Sequence, residues 1–285
     1  MKKRMMLKMA AGAAILAVVI TSCGKNNDNT PFVQQYLPQT VIDNDNGRVQ
    51  DSFVFKNNII QSVYTNQAAD GSYGYRYSFV YGTDGKCKKV EYVNIKNNQV
   101  EYIDSVAYGT DKITMISKSA DNPNSNTNVY AMKNNQAMFE GSKDSVTNGN
   151  TKYVEYTEFT FSGGNLTTRN SVYGYRNLDG SNKNSYINTY NYFYDNKPNG
   201  FQYAFEKNPF LYFYMVTYDG FLDVPLGVGN YTKYTYNDFS NGNTSSNTYQ
   251  ATNTYSTETG FLLTQKLTDG DGDQWNLKFN FRKAD

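Results

Sequence analysis

Apolar and polar residues alternate along much of this sequence. Residues 73–81 carry an aromatic ring at every second position, at Tyr73, Tyr75, Tyr77, Phe79 and Tyr81. Residues 275–281 repeat this period with Trp275, Leu277, Phe279 and Phe281, and residues 190–194 repeat it with three tyrosines. Because successive side chains of a strand point to opposite faces, the period predicts strands with one buried, aromatic face. No comparable stretch has apolar residues at helical spacing, so we expect few or no helices in the mature chain.

Turn-forming residues separate the alternating segments at hairpin intervals. Lys-Asn-Asn occurs at residues 56–58, 96–98 and 133–135, and glycines at residues 85, 163 and 260 serve the same role. Asparagine tolerates the left-handed backbone conformation that tight hairpin turns require. The pattern predicts an all-β fold, an antiparallel meander of hairpin repeats that forms one domain over residues 36–285. We expect the sheet to be curled or stacked so that its aromatic face is buried.

The start of the chain has the pattern of an export signal. Four basic residues among the first eight precede an uncharged apolar run at residues 9–20, which is too short for a membrane-spanning helix. Next comes Ile20-Thr21-Ser22-Cys23-Gly24, which resembles the bacterial lipobox. The resemblance implies a signal peptide at residues 1–22, a diacylglycerol group and palmitate on Cys23, and a flexible tether at residues 23–35. The alternative is an ordinary signal peptide with a chance cysteine at its cleavage site.

Lipid on Cys23 would make the membrane a partner of the protein through its acyl chains. Several acyl chains on one residue give effectively permanent anchoring, here to the outer membrane. In Bacteroidota lipoproteins an acidic cluster after the cysteine marks export to the cell surface, and only Asp28 is acidic here. The periplasmic face and the cell surface are therefore both open as locations.

One segment, residues 196–230, interrupts the alternation. It holds three of the six prolines, which a central strand cannot accommodate. We expect an irregular excursion with a short helical turn, packed over one end of the sheet. Its rings are candidates for an exposed surface that binds a glycan or another envelope protein, and the alternative is that they form part of the core. These candidates are Phe201, Tyr203, Phe205, Phe210, Tyr212 and Tyr214.

Composition excludes several kinds of chemistry. The chain has no histidine, so hydrolases that need an imidazole and zinc sites with histidine ligands are excluded. Loss of the four positive charges in residues 1–22 would change the net charge from +1 to −3, and the remaining basic residues are scattered. We therefore expect no nucleic acid partner, no cofactor and no enzymatic activity. Cys87 has no disulfide partner once Cys23 carries lipid, and we interpret it as a small residue in or beside a strand.

Two sets of carboxylates are candidates for a metal site or a catalytic pair. Asp269, Asp271 and Asp273 resemble the first half of a calcium loop, but the twelfth position is Asn280 rather than glutamate, which favours a simple hairpin turn. A glycosidase needs only two carboxylates and no histidine. The acids available for such a pair are Glu155, Glu158, Asp195, Glu206 and Asp219.

The predicted hairpins resemble the tyrosine-rich YD or RHS-like repeats of Bacteroidota lipoproteins of unknown function. The resemblance rests on residues 77–90, 159–166, 190–195 and 208–210. It implies a repetitive β architecture rather than an activity. We therefore expect an envelope lipoprotein that binds a glycan or an envelope protein without catalysis. The alternatives are a structural scaffold and a carboxylate-based glycosidase.

Overall fold

The computed structural model describes residues 36–120, 122, 124–218 and 224–284. Sixteen antiparallel strands in these residues follow the order of the chain, and the last pairs with the first to close a barrel. The strands are β1 (Tyr36–Asp43), β2 (Arg48–Lys56), β3 (Ile59–Gln67), β4 (Tyr73–Tyr81), β5 (Cys87–Asn94), β6 (Gln99–Tyr108), β7 (Lys112–Ser119), β8 (Ser125–Lys133), β9 (Gln136–Asn148), β10 (Thr151–Ser162), β11 (Asn165–Asn177), β12 (Asn184–Tyr194), β13 (Tyr231–Ser240), β14 (Asn243–Tyr255), β15 (Leu262–Thr268) and β16 (Gln274–Lys283). The predicted signal peptide, Cys23 and the predicted tether lie outside the described residues.

Closure of the sheet decides the architecture. β1 and β16 pair from Tyr36 opposite Lys283 to Asp43 opposite Leu277, so the two edges of the meander meet. The all-β antiparallel meander is confirmed, and the prediction of a curled or stacked sheet is wrong. Unpaired edges would leave backbone N–H and C=O groups without partners, and the pairing of β1 with β16 satisfies them. Alternation has a period of two in an open sheet and in a barrel alike, so it did not distinguish them.

Asparagine turns join two of the hairpins, as the sequence predicted. Asn57 and Asn58, between β2 and β3, have φ values of 51° and 59°. Asn134 and Asn135, between β8 and β9, have φ values of 52° and 63°. Two consecutive residues at positive φ are typical of the type I′ turn, whose twist matches that of the flanking strands. The local sequence therefore favours tight reversal at these points.

Cross-strand pairs show which face of the sheet the aromatic residues occupy. Directly opposed residues on neighbouring strands share a face. Tyr77 lies opposite Val63 on one side and Tyr92 on the other, and Tyr92 lies opposite Tyr102. Val63 and Tyr77 are buried in the hydrophobic core. The aromatic stripe of residues 73–81 therefore points into the lumen of the barrel.

One long connection fills part of this lumen. Residues 195–230, here called the plug, join β12 to β13. The described part of the plug contains α1 (Gly200–Ala204), α2 (Pro209–Phe213) and a π-helical turn (Tyr214–Tyr218). The Asn199 side chain caps α1 by accepting a hydrogen bond from the Phe201 N–H, and Pro209 begins α2, where no N–H is needed. Among the described residues, no helix has the length and apolar character needed to cross a membrane.

The plug lies inside the barrel rather than over its end. The ring centroid of Phe201 is 5.7 Å from that of Phe53 in β2, and Phe213 is 5.0 Å from Phe159 in β10. β2 and β10 are eight strands apart in a ring of sixteen, so they lie on opposite sides of the lumen. The plug therefore spans the full width of the barrel at this end.

Buried hydrogen bonds and close packing hold the plug in one arrangement. Asn199 Nδ2 lies 3.0 Å from Tyr212 Oη, 2.8 Å from Pro225 O and 2.9 Å from Gly227 O, so it joins the two ends of the plug. At Gly200, a Cβ atom would lie only 2.5 Å from Phe281 Cε1 in the barrel wall. Only glycine allows this approach without displacement of the ring. The plug thus forms a packed floor for the rest of the lumen.

Candidate functional site

The aromatic residues predicted to form an exposed binding surface are buried. Phe201, Phe205, Phe210, Tyr212 and Tyr214 each expose 4% of their surface or less. Tyr203, the sixth candidate, is partly buried. The prediction is wrong because a barrel of sixteen strands has a lumen too wide for its own wall side chains to fill. The rings of the plug occupy that space and become the core at one end of the barrel.

The three aspartates considered as half of a calcium loop form the turn between β15 and β16. Asp269 Oδ1 accepts hydrogen bonds from the Asp271 N–H at 3.1 Å and the Asp273 N–H at 2.9 Å. This carboxylate oxygen is therefore engaged by the backbone of the turn. In the part of the chain that the structure describes, no three potential ligands are grouped to hold a metal ion. The geometry supports the hairpin interpretation rather than the calcium one.

Much of the outer wall of the barrel is polar. Residues of β14 that alternate with its lumen-facing residues are Thr244, Ser246, Thr248, Gln250, Thr252 and Thr254. Outward side chains also form hydrogen bonds between strands. Thr189 Oγ1 donates to Asn170 Oδ1 at 2.9 Å, and Asn280 Nδ2 donates to Thr40 Oγ1 at 2.9 Å. These ladders satisfy polar groups across the wall where a lipid-facing surface would carry apolar side chains.

Charged residues occupy the middle of this wall as well. Arg76 of β4, Lys266 of β15 and Lys278 of β16 each follow or precede a lumen-facing residue and so point outward. A lysine or arginine that faces lipid at the bilayer midplane costs about 2–4 kcal/mol, and transmembrane barrels carry an apolar band outside and polar residues inside. This barrel mixes polar, charged and apolar side chains on its outer wall, where Phe193 and Phe239 are also exposed. Its outer wall is therefore suited to contact with water.

Away from the plug, one side of the lumen carries a continuous aromatic surface. The ring centroids of Tyr190 and Tyr236 are 4.8 Å apart, and Tyr234 stacks on Tyr249 at 4.3 Å. Tyr249 lies 6.1 Å from Trp275, which points inward and is nevertheless 45% exposed. These five residues, here called the tyrosine wall, extend from β12 to β16. Solvent reaches their rings because the lumen is open at this end.

A second aromatic surface faces the tyrosine wall from β4 to β6. Tyr75 stacks on Tyr92 at 4.7 Å, and Tyr92 lies 6.0 Å from Tyr102, which is 50% exposed. The sequence favoured the core for such alternating rings and left the rings of residues 196–230 open between an exposed surface and the core. The structure buries Tyr77 and Phe79 among the alternating rings and exposes Tyr102 and Trp275. Alternation was the signal that identified the lumen-facing rings, but it carried no information on which of them a plug would cover.

Carboxylates predominate among the charged residues that face the lumen. They include Asp51, Asp104, Glu140, Glu155 and Asp238. Arg169 of β11 faces them, with its guanidinium 5.9 Å from the Tyr190 ring. The outward residues of the barrel, by contrast, include many lysines. The potential inside the lumen therefore disfavours an anionic ligand.

Glu140 is a lumen acid whose protonation is linked to folding. Burial raises the pKa of Glu140 above its usual value, and repulsion from Glu155 on the neighbouring strand adds to the rise. The Tyr130 hydroxyl, which donates to Glu140 Oε1 at 3.0 Å, and the charge of Arg169 both oppose it. Burial has the largest effect, so ionisation of Glu140 weakens the folded state relative to the unfolded state.

Glu140→Gln is expected to remove one pH-dependent loss of stability. In the native protein, the contribution of protonated Glu140 is fully present below the unfolded pKa of 4.5 and is lost as pH rises through the higher folded pKa. Glutamine keeps an oxygen for the Tyr130 hydroxyl and carries no charge. Urea unfolding from acidic to neutral pH should therefore show a steeper fall in stability for the native protein than for the variant. Parallel curves for the two proteins would disprove this linkage.

The acids considered for a glycosidase are dispersed over the fold. Glu155 faces the lumen, whereas its near neighbour Glu158 points outward. Asp195 begins the plug, and Glu206 is exposed on it. Asp219 lies outside the described residues. The structure therefore does not bring the four described acids together into one site.

Cys87 is a small buried residue of the core, as the sequence indicated. It begins β5, exposes 2% of its surface, and its Sγ donates to Lys89 O at 3.4 Å. Burial raises the pKa of the Cys87 thiol to about 12. The thiolate, which is the nucleophilic form of cysteine, is therefore scarce at neutral pH.

Comparisons with known proteins find similar folds among solved structures but no matching family. No protein-family model matches the chain, and no curated protein matches it. Among solved structures, the fold is similar to the crystal structure of a porin-like protein from Bacteroides vulgatus ATCC 8482, with 11% sequence identity and a TM-score of 0.35. That alignment covers 88% of this chain and 98% of the other.

Proposed function

We propose that this protein is a lipid-anchored envelope protein that binds a glycan in the open half of its barrel, without catalysis. The observation that carries the proposal is the tyrosine wall, a solvent-accessible aromatic surface inside a barrel whose outer wall is polar. The mouths of β-barrels are frequent sites for small ligands. A water-facing barrel with a packed floor and an open aromatic mouth matches that pattern.

The chemistry of the open lumen favours a sugar over a lipid. Tyrosine offers a flat apolar face that packs on the C–H groups of a sugar ring, and a hydroxyl that can exchange hydrogen bonds with sugar hydroxyls. Tyr236 Oη donates to Asn188 Oδ1 at 3.3 Å, so phenols and amides already alternate along this surface. A hydrocarbon ligand would offer no hydrogen bonds to the phenol and amide groups that face solvent here, and burial of a polar group without a partner costs about 1–3 kcal/mol.

Chain connectivity supports a location beside the outer membrane. Successive turns alternate between the two ends of the barrel, and the plug follows the end of β12, so the plug and the start of β1 share one end. An anchor on Cys23 would therefore join the barrel at its plugged end. The polar outer wall fits a barrel held next to a bilayer by lipid rather than one that crosses it.

Trp275→Ala and Tyr249→Ala are each expected to weaken glycan binding about tenfold, because each removes an aromatic face on which a sugar ring would pack. Isothermal titration calorimetry on the full mature protein would measure the affinity. The probes are neutral hexose oligosaccharides and uronate oligosaccharides of equal length. We expect binding of a neutral chain, weaker binding of the uronate, and recovery of the chain without hydrolysis.

Tyr156→Ala is the matched control for these variants. Tyr156 lies on the outer wall, where it stacks on Phe139 at 5.6 Å, so its loss should leave glycan affinity unchanged. Equal effects of the inner and outer substitutions would count against binding in the lumen. Absence of binding to every oligosaccharide would refute the glycan proposal and favour a scaffold role.

A further inference from the structure

A separate cavity lies where the plug meets strands β4 to β8. It has a volume of about 620 Å³, within the range of roughly 300–1,000 Å³ that is common for small-molecule sites. Five tyrosines line it, namely Tyr77, Tyr92, Tyr102, Tyr214 and Tyr218. The remaining lining residues are Asp104 and five serines or asparagines. The cavity thus combines the second aromatic surface of the lumen with the π-helical turn of the plug.

The polar groups of the cavity are held in place by contacts between the plug and the wall. Tyr214 Oη donates to Asp104 Oδ2 at 2.6 Å, and both residues are buried. Tyr218 Oη and Ser117 Oγ are 2.9 Å apart. The two tyrosine rings of the turn lie 5.4 Å apart and pack against each other. Groups fixed before a ligand arrives lose little conformational entropy on binding, so this arrangement is preorganised.

The charge and polarity of the lining restrict the ligand. Among the described residues that form the lining there is no lysine or arginine, and the charged one is Asp104. An anionic ligand would meet a carboxylate without a compensating cation, which costs binding energy in a partly desolvated site. An apolar ligand would displace water from the amide groups of Asn122, Asn124 and Asn126 and would offer them no hydrogen bonds in its place. An uncharged polyhydroxyl ligand satisfies both conditions.

We infer that this cavity is a subsite for one uncharged sugar residue of the glycan, with Asp104 as a hydrogen-bond acceptor for its hydroxyls. This inference rests on the proposed function, and it adds the position and the chemical class of the sugar. Tyr102 stands at the entrance, where half of its surface is exposed, and offers a face for the ring. A carboxylate that accepts from a hydroxyl forms a stronger hydrogen bond than a neutral acceptor does.

Asp104→Asn tests the inference in the full mature protein. The asparagine oxygen can still accept from Tyr214, so the contact between plug and wall is retained. Affinity for the neutral hexose oligosaccharide should fall by about ten- to a hundredfold, in line with the loss of a charge-assisted hydrogen bond. The uronate oligosaccharide of equal length should lose less affinity or gain some, because a negative charge has been removed. A general loss of folding would weaken binding of both oligosaccharides together. A change in the ratio of the two affinities therefore identifies the site.

Tyr102→Ala provides a second variant that does not touch the buried contacts. It should weaken binding of the neutral chain about tenfold through loss of a stacking face. The ratio of the affinities for the neutral and the uronate oligosaccharides should stay unchanged. If the native protein binds the neutral chain and both variants match it, the subsite is wrong although the proposed function stands. If the native protein binds none of the oligosaccharides, both conclusions fail.

Discussion

Phe213→Ala should lower the free energy of unfolding by about 3–5 kcal/mol, the usual cost of deleting a buried phenylalanine. Phe213 exposes 4% of its surface and contacts Phe159 at 5.0 Å and Tyr130 at 5.5 Å. It also stacks on Phe210 within the plug at 5.8 Å. The rigid barrel cannot collapse around the missing ring, so a cavity would remain between the plug and β8 to β10. Urea denaturation followed by tryptophan fluorescence would measure the loss.

Phe193→Ala is the control for this prediction. Phe193 is also a phenylalanine of the barrel region, but it lies on the outer wall and exposes 49% of its surface. Its removal should change stability by less than about 1 kcal/mol. Hydrogen exchange would add a local readout, since Phe213→Ala should reduce protection in α2 before it affects the strands. Equal losses in the two variants would show that the plug does not stabilise the barrel.

The local features of the fold were accessible from the sequence. Alternation at residues 73–81 predicted a strand with rings on one face, and Asn57-Asn58 predicted a tight turn. Both depend only on the period of the strand and on the backbone preference of asparagine. Closure depends instead on how twist accumulates over sixteen strands and brings β1 to β16. That property belongs to the whole sheet, and no short segment carries it.

Burial of the candidate site residues could not be predicted from the sequence either. Phe210 and Tyr212 looked like exposed rings because their segment interrupts the strand pattern, yet they are buried. Trp275 looked like a core residue because it alternates regularly, yet it is 45% exposed in the lumen. Which ring is covered depends on the width of the lumen and on the path of the plug. Asp104 could not be singled out either, because its partner Tyr214 is 110 residues away in sequence.

The polar outer wall was, in contrast, present in the alternating pattern. The residues between the rings are glycine, arginine, serine and valine in β4, and they are mainly threonine and serine in β14. Polar residues on one face of a strand and aromatic residues on the other predict that the first face contacts solvent and the second is buried. In a closed barrel the covered face must be the inner one when the outer one is polar. The composition of single strands therefore supports the proposal that lipid, rather than the barrel wall, holds the protein at the membrane.

Cys23→Ala is expected to abolish lipid attachment completely. The lipid is joined through a thioether to the cysteine sulfur, and alanine offers no nucleophile for that bond. Each buried methylene of an acyl chain contributes about 0.8 kcal/mol to membrane binding, so loss of all the chains removes the anchor. Labelling of cells with a radioactive fatty acid should give no labelled protein for the variant, and intact mass should lack the acyl groups. An uncleaved precursor would keep the apolar run at residues 9–20 and could stay with the membrane through it. The mass of the protein must therefore be measured together with its distribution between membrane and soluble fractions.

Cys87→Ala supplies the matched control, since it removes the other cysteine of the chain. The Cys87 thiol is buried at the start of β5 with its pKa raised to about 12, so it should not carry lipid. This variant should keep the fatty-acid label and remain in the membrane fraction after a salt wash. Lipid that persists in Cys23→Ala, or membrane retention of a cleaved and unlabelled Cys23→Ala protein, would mean that the barrel reaches the membrane by another route. The charged and polar residues of the outer wall would then need a protein partner at the bilayer surface, because a charged side chain that faces lipid is costly.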